Sequence, residues 1–153
     1  MRVKRHNNVS AYVARSLTQK GYTVEEEPNI RVESGRYKPD IIAKQGNQAL
    51  VIDAQIVTDG VDLDLAHSTK VGKYDRDDLK RKIKDQFRVD GVLVTSVTLN
   101  WRGVWSKASC ARLLQLGILR IKDLKVISTR VGVGSVGSFR LFNRSTVVRT
   151  GVG

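Results

Sequence analysis

Apolar residues recur at helical spacing in three parts of the chain. The first part is residues 7–20, and Gly21 directly after it has the position of a C-terminal cap. A second, highly charged helix is predicted over residues 65–87. A third helix begins after Ser106, a residue type that caps helix N-termini, and runs through Leu116.

Between these helices the pattern changes to two-residue alternation and to runs of β-branched residues, which predict strands. The predicted strands are residues 22–26, 29–33, 38–44, 49–57 and 92–99. The turn sequence Gln45-Gly46-Asn47 separates two of them and predicts a hairpin. Strands joined in hairpins and then by a helical crossover to one more strand form a mixed β-sheet flanked by helices. The predicted fold class is therefore α/β.

The last part of the chain has a weaker pattern. Apolar residues from 121 to 127 predict another helix, several glycines interrupt the pattern after it, and residues 139–142 predict a last helix. We expect residues 1–146 to form one domain, since this length is ordinary for a single hydrophobic core. Residues 147–153 are expected to form a flexible tail.

The composition excludes several function classes. No stretch approaches the ~20 consecutive apolar residues of a membrane span, and the basic N-terminus leads into no apolar signal-peptide core. We therefore expect no membrane partner. Cys110 is the only cysteine of the sequence, so an internal disulfide is impossible and a cysteine-rich zinc site is excluded. Any metal would have to be bound by oxygen ligands.

The chain is strongly basic, and the charge is unevenly distributed. The formal net charge is +12, and residues 100–153 carry +9 of it, with ten Lys and Arg residues against a single acid, Asp123. A basic flank beside a more acidic centre is suited to holding a nucleic-acid backbone against a carboxylate site. Charge alone does not separate an enzyme from a non-catalytic nucleic-acid-binding protein.

Two acids on neighbouring predicted strands are the strongest candidates for chemistry. Asp40 follows Pro39 in one strand and Asp53 lies in the next, with twelve residues between the two acids. In a hairpin the two carboxylates come close at the open end of the strand pair. Such a pair forms an all-oxygen site suited to Mg2+, with Mn2+ as a substitute. A metal there can bind a scissile phosphate and lower the pKa of a bound water.

The position of Asp53 favours a metal or an ion pair over an ordinary surface acid. Asp53 interrupts an otherwise apolar strand, residues 50–57. A carboxylate in a buried strand is costly unless a cation neutralises it. The alternative is that Asp40 and Asp53 are simple strand-end acids without a ligand, because acids are common at such positions.

The predicted helix after this strand carries basic candidates. Lys70 and Tyr74 are four residues apart and share a helix face, and Lys73 lies next to it. A lysine near the metal could orient or activate the attacking water or hold the phosphate; the alternative is a solvated basic face. His67 fits a structural cap as well as a ligand. The acids of the preceding loop are expected to be solvated or to act as caps: Asp59, Asp62 and Asp64.

Short motifs follow one another along most of the chain: Arg5-His6-Asn7, Glu27-Pro28, Lys38-Pro39-Asp40, Val51-Ile52-Asp53, Ala66-His67, Lys70-x-x-x-Tyr74-Asp75 and Phe142-Asn143-Arg144-Ser145-Thr146. Taken together, they resemble the restriction-like endonuclease domain of site-specific non-LTR retrotransposons. The resemblance covers roughly residues 5–146, with the motifs in the right order.

The resemblance implies a restriction-endonuclease-like, PD-(D/E)xK fold, similar also to that of archaeal Holliday-junction resolvases. It implies a Mg2+-dependent DNA endonuclease that nicks target DNA to prime reverse transcription. Asp40 and Asp53 match the two metal-binding acids. The usual motif lysine would fall at position 55, where this chain has Gln55. In the family the lysine looks displaced onto the following helix, which points to Lys70.

The site residues implied by the resemblance fall into two groups. The catalytic group is Asp40, Asp53, Lys70, Lys73 and Tyr74, with the two acids as metal ligands. The DNA-binding group is Arg5, His6, Asn7, Lys38 and Lys73. The implied partners are DNA, a reverse transcriptase domain of the same polyprotein and the element RNA, with nuclear localisation and with a homodimer left open.

Two other hypotheses stay open on the sequence alone. The first is a non-catalytic nucleic-acid-binding module that keeps the fold, which Gln55 in place of lysine favours. The second is a resolvase of branched DNA that acts as a dimer and prefers four-way junctions to linear duplex.

Overall fold

The computed structural model describes the backbone of residues 2–132 and the side chains of residues 6–132. The helices and strands in chain order are α1 (Arg2–Gln19), β1 (Thr23–Glu26), β2 (Ile30–Val32), β3 (Gly35–Tyr37), β4 (Ile41–Gln45), β5 (Gln48–Val57), α2 (Leu63–Tyr74), α3 (Asp77–Phe87), β6 (Gly91–Asn100), α4 (Lys107–Gln115) and α5 (Ile121–Val131). The helix predicted at 139–142 and the tail predicted at 147–153 lie outside the described residues.

Four strands form a mixed sheet in the order β1-β4-β5-β6. The β1–β4 and β4–β5 pairs are antiparallel, and the β5–β6 pair is parallel. This arrangement confirms the predicted α/β class with a mixed sheet flanked by helices. The strand predicted at 29–33 is not part of this sheet, because β2 pairs only with β3 in a separate two-stranded hairpin.

The β4–β5 hairpin sets the register of the sheet. Its turn is the two residues Gly46-Asn47, and Gly46 has the left-handed φ of 59° that such a turn requires. Counting back from the Gln45–Gln48 pair, Ile41 pairs with Ile52. The next position in the same register sets Asp40 against Asp53, so the two acids are close together, as predicted.

Alternation along the strands divides the buried side chains between two cores. One core packs β4, β5 and β6 against α1, α4 and α5, and its strand residues include Ile41, Ala43, Leu50, Ile52, Val97 and Leu99. The other core packs the opposite face against α3, the end of α2 and the β2–β3 hairpin, and its strand residues include Ile42, Ala49, Val51, Val92 and Val94. The central strands are thus covered on both faces.

Two predicted helix boundaries are wrong. The helix predicted over 65–87 is two helices, because Asp75 caps α2 through its N–H to the carbonyl of Val71, and Arg76 has an extended backbone. The first helix begins at Arg2 instead of residue 7, so His6 lies inside α1 and not at its N-terminus. Ser106 is the N-cap of α4 as predicted, with its hydroxyl accepting from the N–H of Ser109. No helix in the described part of the chain is long and apolar enough to cross a membrane.

Candidate active site

An open cleft of about 460 Å3 lies between the beginning of β4, the carboxyl half of β5 and the helix α2. Its walls are His6, Lys38, Asp40, Asp53, Ala54, Gln55, Ile56, Lys70, Lys73 and Tyr74. All five residues predicted to be catalytic therefore line one cleft. Three of the residues predicted to bind DNA line it: His6, Lys38 and Lys73.

Each of the two carboxylates accepts a hydrogen bond from the backbone of the segment that carries the other. The backbone N–H of Asp40 donates to Asp53 Oδ1 at 2.9 Å, and the N–H of Ala54 donates to Asp40 Oδ2 at 2.8 Å. Asp40 lies in the bend directly before β4, not inside a strand as predicted. This reciprocal pairing fixes both side chains at one point of the cleft without a ligand.

The pKa values of the two acids are shifted in opposite directions. Burial and the neighbouring charge of Asp40 raise the pKa of Asp53 to about 6. For Asp40, burial acts to raise the pKa, but the hydrogen bonds from His6 and from the Ala54 N–H outweigh it and leave the pKa below its ordinary value. Two like charges this close favour one shared proton, or a cation in its place.

His6 forms an ion pair with Asp40. Its Nε2–H lies 3.0 Å from Asp40 Oδ2 and 2.9 Å from the carbonyl oxygen of Ala54. The hydrogen bond to Asp40 is the main reason that the pKa of His6 rises to about 9, against the effect of burial. The imidazole is therefore protonated at neutral pH. Its other nitrogen, Nδ1, lies 3.4 Å from Oδ1 of the exposed Asn7.

The three lysines of the cleft have different surroundings. Lys70 Nζ lies 3.4 Å from Asp53 Oδ2, and its side chain is half-buried. Lys73 is exposed, with Nζ 5.2 Å from the centre of the Tyr74 ring. Lys38 forms an exposed ion pair with Glu27 at 3.4 Å, which adds little stability. Lys70 is thus the lysine that the fold brings to the acids, and the other two form the rim.

Tyr74 lies at the base of the cleft and is a packing residue for the second core. It is 2% exposed and meets Tyr37 edge to face, with the ring centres 6.2 Å apart. Burial, together with the charges of Asp53 and Asp40, raises the pKa of its phenol above the ordinary value. This shift favours the protonated phenol.

Polar side chains on neighbouring positions of β5 and β6 form a connected group that the sequence analysis does not predict. Gln55 pairs with Thr98, and Asp53 pairs with Ser96, in the parallel register. The side chains connect: Gln55 Nε2 lies 2.9 Å from Thr98 Oγ1, which lies 2.6 Å from Ser96 Oγ. Ser96 Oγ lies 2.7 Å from Nδ1 of His67. His67 is therefore neither a cap nor a residue of the acid pair. The detectable signal was the alternation Val94-x-Ser96-x-Thr98, in which an apolar strand face becomes polar.

The loop acids are engaged in local structure. Asp62 is the N-cap of α2 and accepts from the N–H of Leu65 at 3.0 Å. Asp64 accepts from the Ser106 hydroxyl at 2.7 Å and so ties α2 to α4. Asp59 pairs with Arg102 at 3.2 Å. The capping role predicted for these acids holds for Asp62.

The side chain of Arg5, predicted to bind DNA, lies outside the described residues. So do three of the basic residues of the C-terminal segment, Arg140, Arg144 and Arg149. Of the predicted DNA-binding group, the structure therefore places His6, Asn7, Lys38 and Lys73 around the cleft or directly beside it.

The donor set of the cleft fits a hard cation with few protein ligands. Among the described residues, no three His, Cys, Asp or Glu side chains converge where a metal ion could be held. The two carboxylates, Asp40 and Asp53, remain. Mg2+ is commonly bound by one or two carboxylates, with water and phosphate oxygens in the other positions, whereas zinc sites use three or four protein ligands. The two-carboxylate set therefore fits Mg2+.

The relatives of the chain are retrotransposon proteins. Over 142 residues it is 44% identical to the Pol polyprotein of the type-2 retrotransposable element R2DM of Drosophila melanogaster, covering 92% of this chain and 13% of that protein. Over 147 residues it is 37% identical to the Pol polyprotein of the type-1 element R2 of Nasonia vitripennis, covering 95% of this chain and 14% of that protein. The Pol polyprotein of the type-1 element R2 of Bradysia coprophila is 35% identical over 148 residues, covering 95% of this chain and 17% of that protein.

No family model matches the chain. Among solved structures the chain is similar to the crystal structure of a protein of unknown function, AF1548, with a TM-score of 0.41 and 11% identity over 74% of this chain and 55% of that one. The chain spans less than a fifth of the length of the three relatives named above. The retrotransposon part of the resemblance is confirmed: the homologues of this chain, at 30–44% identity, are R2 retrotransposon Pol polyproteins.

Proposed function

We propose that this chain is a metal-dependent DNA endonuclease domain of an R2-type retrotransposon, with a restriction-endonuclease-like fold. The observation that carries the proposal is the pair Asp40–Asp53. Asp53 accepts the backbone N–H of Asp40, and Asp40 accepts the backbone N–H of Ala54 in β5. Lys70 Nζ stands 3.4 Å from the same pair. Two converging carboxylates with one lysine, in an open cleft on a basic chain, fit phosphodiester hydrolysis better than any other chemistry of these residues.

Each residue of the cleft has a defined part in the proposed reaction. Asp40 and Asp53 would hold Mg2+, with Mn2+ as a substitute; the ion supplies an activated water and charge stabilisation at the phosphate. Lys70 supplies a positive charge beside Asp53, where it can bind the scissile phosphate or orient the attacking water. His6, protonated and bound to Asp40, fixes that carboxylate. Lys73 and Lys38 on the rim would contact the neighbouring phosphates.

The bond changes follow from the role of the nick. Water forms a new bond to phosphorus, and the bond from phosphorus to O3′ breaks, which leaves a 3′ hydroxyl and a 5′ phosphate. A 3′ hydroxyl is the group that reverse transcription needs for priming. The proposed partners are therefore target DNA, a reverse transcriptase region of the same polyprotein and the element RNA, and the proposed location is the nucleus.

The proposal is tested by nicking of supercoiled plasmid and of a four-way junction, in Mg2+ or Mn2+ and in EDTA, with wild type beside Asp40→Ala. We expect metal-dependent nicking that Asp40→Ala lowers by at least about a thousandfold, which corresponds to roughly 4 kcal/mol. Binding of DNA, followed by gel shift, should be retained or tightened in Asp40→Ala because a negative charge near phosphate is removed.

Two other outcomes of this experiment would replace the proposal. Salt-sensitive DNA binding without cleavage in any metal would identify a non-catalytic binding module, the function that Gln55 at the motif-lysine position favours. Cleavage of the four-way junction in strong preference to the plasmid would identify a resolvase, and a dimeric state would accompany it.

A further inference from the structure

Gln55 occupies the position where the resemblance places a catalytic lysine, and its side chain is bound in a specific way. Its Nε2 donates to the carbonyl oxygen of Ala66 at 2.8 Å and lies 2.9 Å from Thr98 Oγ1. The carbonyl of Ala66 can only accept, so the atom facing it is the amide nitrogen and not the amide oxygen. Both hydrogens of the amide are thereby used to join β5 to α2 and to β6.

The carbonyl that Gln55 binds belongs to the turn of α2 that presents Lys70. In an α-helix the carbonyl of Ala66 is also the acceptor for the N–H of Lys70, four residues later. Gln55 lies two residues after Asp53 on the same face of β5. One amide group therefore connects the strand that carries the acid to the helical turn that carries the lysine.

We propose, on the basis of the proposed nuclease function, that Gln55 is a positioning residue that holds Lys70 at its working distance from Asp53. Position 55 of β5, where the resemblance places a lysine, thus holds a glutamine that binds α2, the helix that carries Lys70. Other ties, from Asp64 to Ser106 and from His67 to Ser96, join α2 to α4 and to β6. The bond from Gln55 joins α2 to β5, the strand that carries Asp53. Loss of the amide should therefore shift Lys70 without unfolding α2.

The test variant is Gln55→Met, which keeps the size of the side chain and removes both donors. The matched control is Gln45→Met, because Gln45 also donates its Nε2 to a backbone carbonyl, that of Lys20 at 3.0 Å. Gln45 lies five residues from Asp40, about 16 Å along β4. Both variants are compared with wild type in two measurements: amide hydrogen exchange of α2, and single-turnover nicking of supercoiled plasmid in Mg2+.

Hydrogen exchange tests the tie itself and needs no cleavage. We expect severalfold faster exchange across residues 66–74 in Gln55→Met and no change there in Gln45→Met. Unchanged exchange in Gln55→Met would overturn the proposal. A wild-type chain that cuts no DNA would remove the nuclease function and the catalytic part of this proposal, while the exchange result would still show whether Gln55 holds α2.

Cleavage tests whether the tie acts through Lys70. We expect Gln55→Met to slow single-turnover nicking about tenfold or more, with the DNA concentration for half-maximal rate unchanged, because misplacement of a catalytic group costs rate and not binding. In a Lys70→Ala background the same substitution should cost less than about twofold. An equal loss with and without Lys70, or no loss beside wild type, would overturn the positioning role.

Discussion

Two of the described aspartates are almost completely buried, and their surroundings treat the negative charge in opposite ways. Asp53 in the cleft is 6% exposed, and Asp123 at the beginning of α5 is 4% exposed. Asp123 accepts hydrogen bonds from the Tyr12 hydroxyl at 2.7 Å and from the Arg120 N–H at 2.8 Å. These donors outweigh burial, which acts to raise the pKa, and hold the pKa of Asp123 below its ordinary value. The pKa of Asp53 instead rises to about 6.

This difference in surroundings indicates which of the two buried acids is available for a ligand. The charge of Asp123 is matched by donors of the chain, and it serves to cap α5. The charge of Asp53 faces a second carboxylate, Asp40, and Lys70 at 3.4 Å offsets only part of the repulsion. Two acids that repel each other in the folded chain and line an open cleft are the arrangement expected of a cation site, since functional sites often lower local stability.

The pH dependence of stability should separate the two acids most strongly. The pKa of Asp53 is about 6 in the folded chain and 3.8 in the unfolded chain. Between pH 4 and pH 6, without metal, the folded chain therefore binds a proton at Asp53 that the unfolded chain releases. The free energy of unfolding of wild type consequently falls as pH rises from 4 to 6. Asp53→Asn removes this loss. We expect its free energy of unfolding to exceed that of wild type by up to about 3 kcal/mol above pH 6, measured by urea denaturation in EDTA.

The change of stability with pH has the opposite sign for Asp123. Its lowered pKa contributes stability above the unfolded value that is lost as pH falls through the folded value. The free energy by which wild type is more stable than Asp123→Asn should therefore decrease below about pH 4. The free energy by which wild type is less stable than Asp53→Asn should instead decrease as pH falls from 6 to 4. Parallel pH profiles for the two variants would break the comparison.

Substitution of Asp123 should lower stability without affecting the cleft. Asp123→Asn leaves one of the two donors, the Arg120 N–H or the Tyr12 hydroxyl, facing an amide NH2, and the other with a neutral acceptor in place of a charged one. We expect the substitution to destabilise the fold by about 2 kcal/mol at pH 7. Nicking at a temperature where the variant is folded should equal that of wild type. A loss of nicking in the folded variant would mean that Asp123 acts on the cleft, contrary to its separation from the Asp40–Asp53 pair.

Two tyrosines provide the smallest and most selective test. Tyr12 donates to Asp123, so Tyr12→Phe should cost about 1 kcal/mol of unfolding free energy. Tyr74 lies beside the cleft but packs in the second core, so Tyr74→Phe should leave the single-turnover nicking rate within about twofold of wild type. A large loss of nicking in folded Tyr74→Phe would restore the catalytic role that the resemblance assigned to this phenol.

Local pattern was enough to predict the meeting of Asp40 and Asp53. The predicted hairpin brings them to the open end of the same strand pair. The structure has the two-residue turn Gly46-Asn47 in place of the predicted turn Gln45-Gly46-Asn47, and this shorter turn sets the two positions opposite each other. The apolar run around Asp53 likewise predicted a buried strand, which β5 is. These features depend on neighbouring residues, and neighbouring residues are what a sequence pattern reports.

The unpredicted features depend on contacts between distant segments. The break after Tyr74 has no Pro or Gly at Asp75-Arg76 to mark it, and only the acids Asp77-Asp78 signalled a new helix N-terminus. The tie from Gln55 to Ala66 requires the parallel register of β5 and β6 together with the docking of α2. The contact of His6 with Asp40 joins residues 34 positions apart. No local periodicity contains this information.

The most direct test of the central claim is nicking of supercoiled plasmid in Mg2+ at pH 7.5 by wild type, Asp53→Asn and Asp123→Asn, each shown to be folded and to bind DNA. We expect wild type and Asp123→Asn to nick alike, and Asp53→Asn to lose at least about a thousandfold in rate. Equal nicking by Asp53→Asn and wild type would contradict the assignment of the Asp40–Asp53 pair as the catalytic cation site.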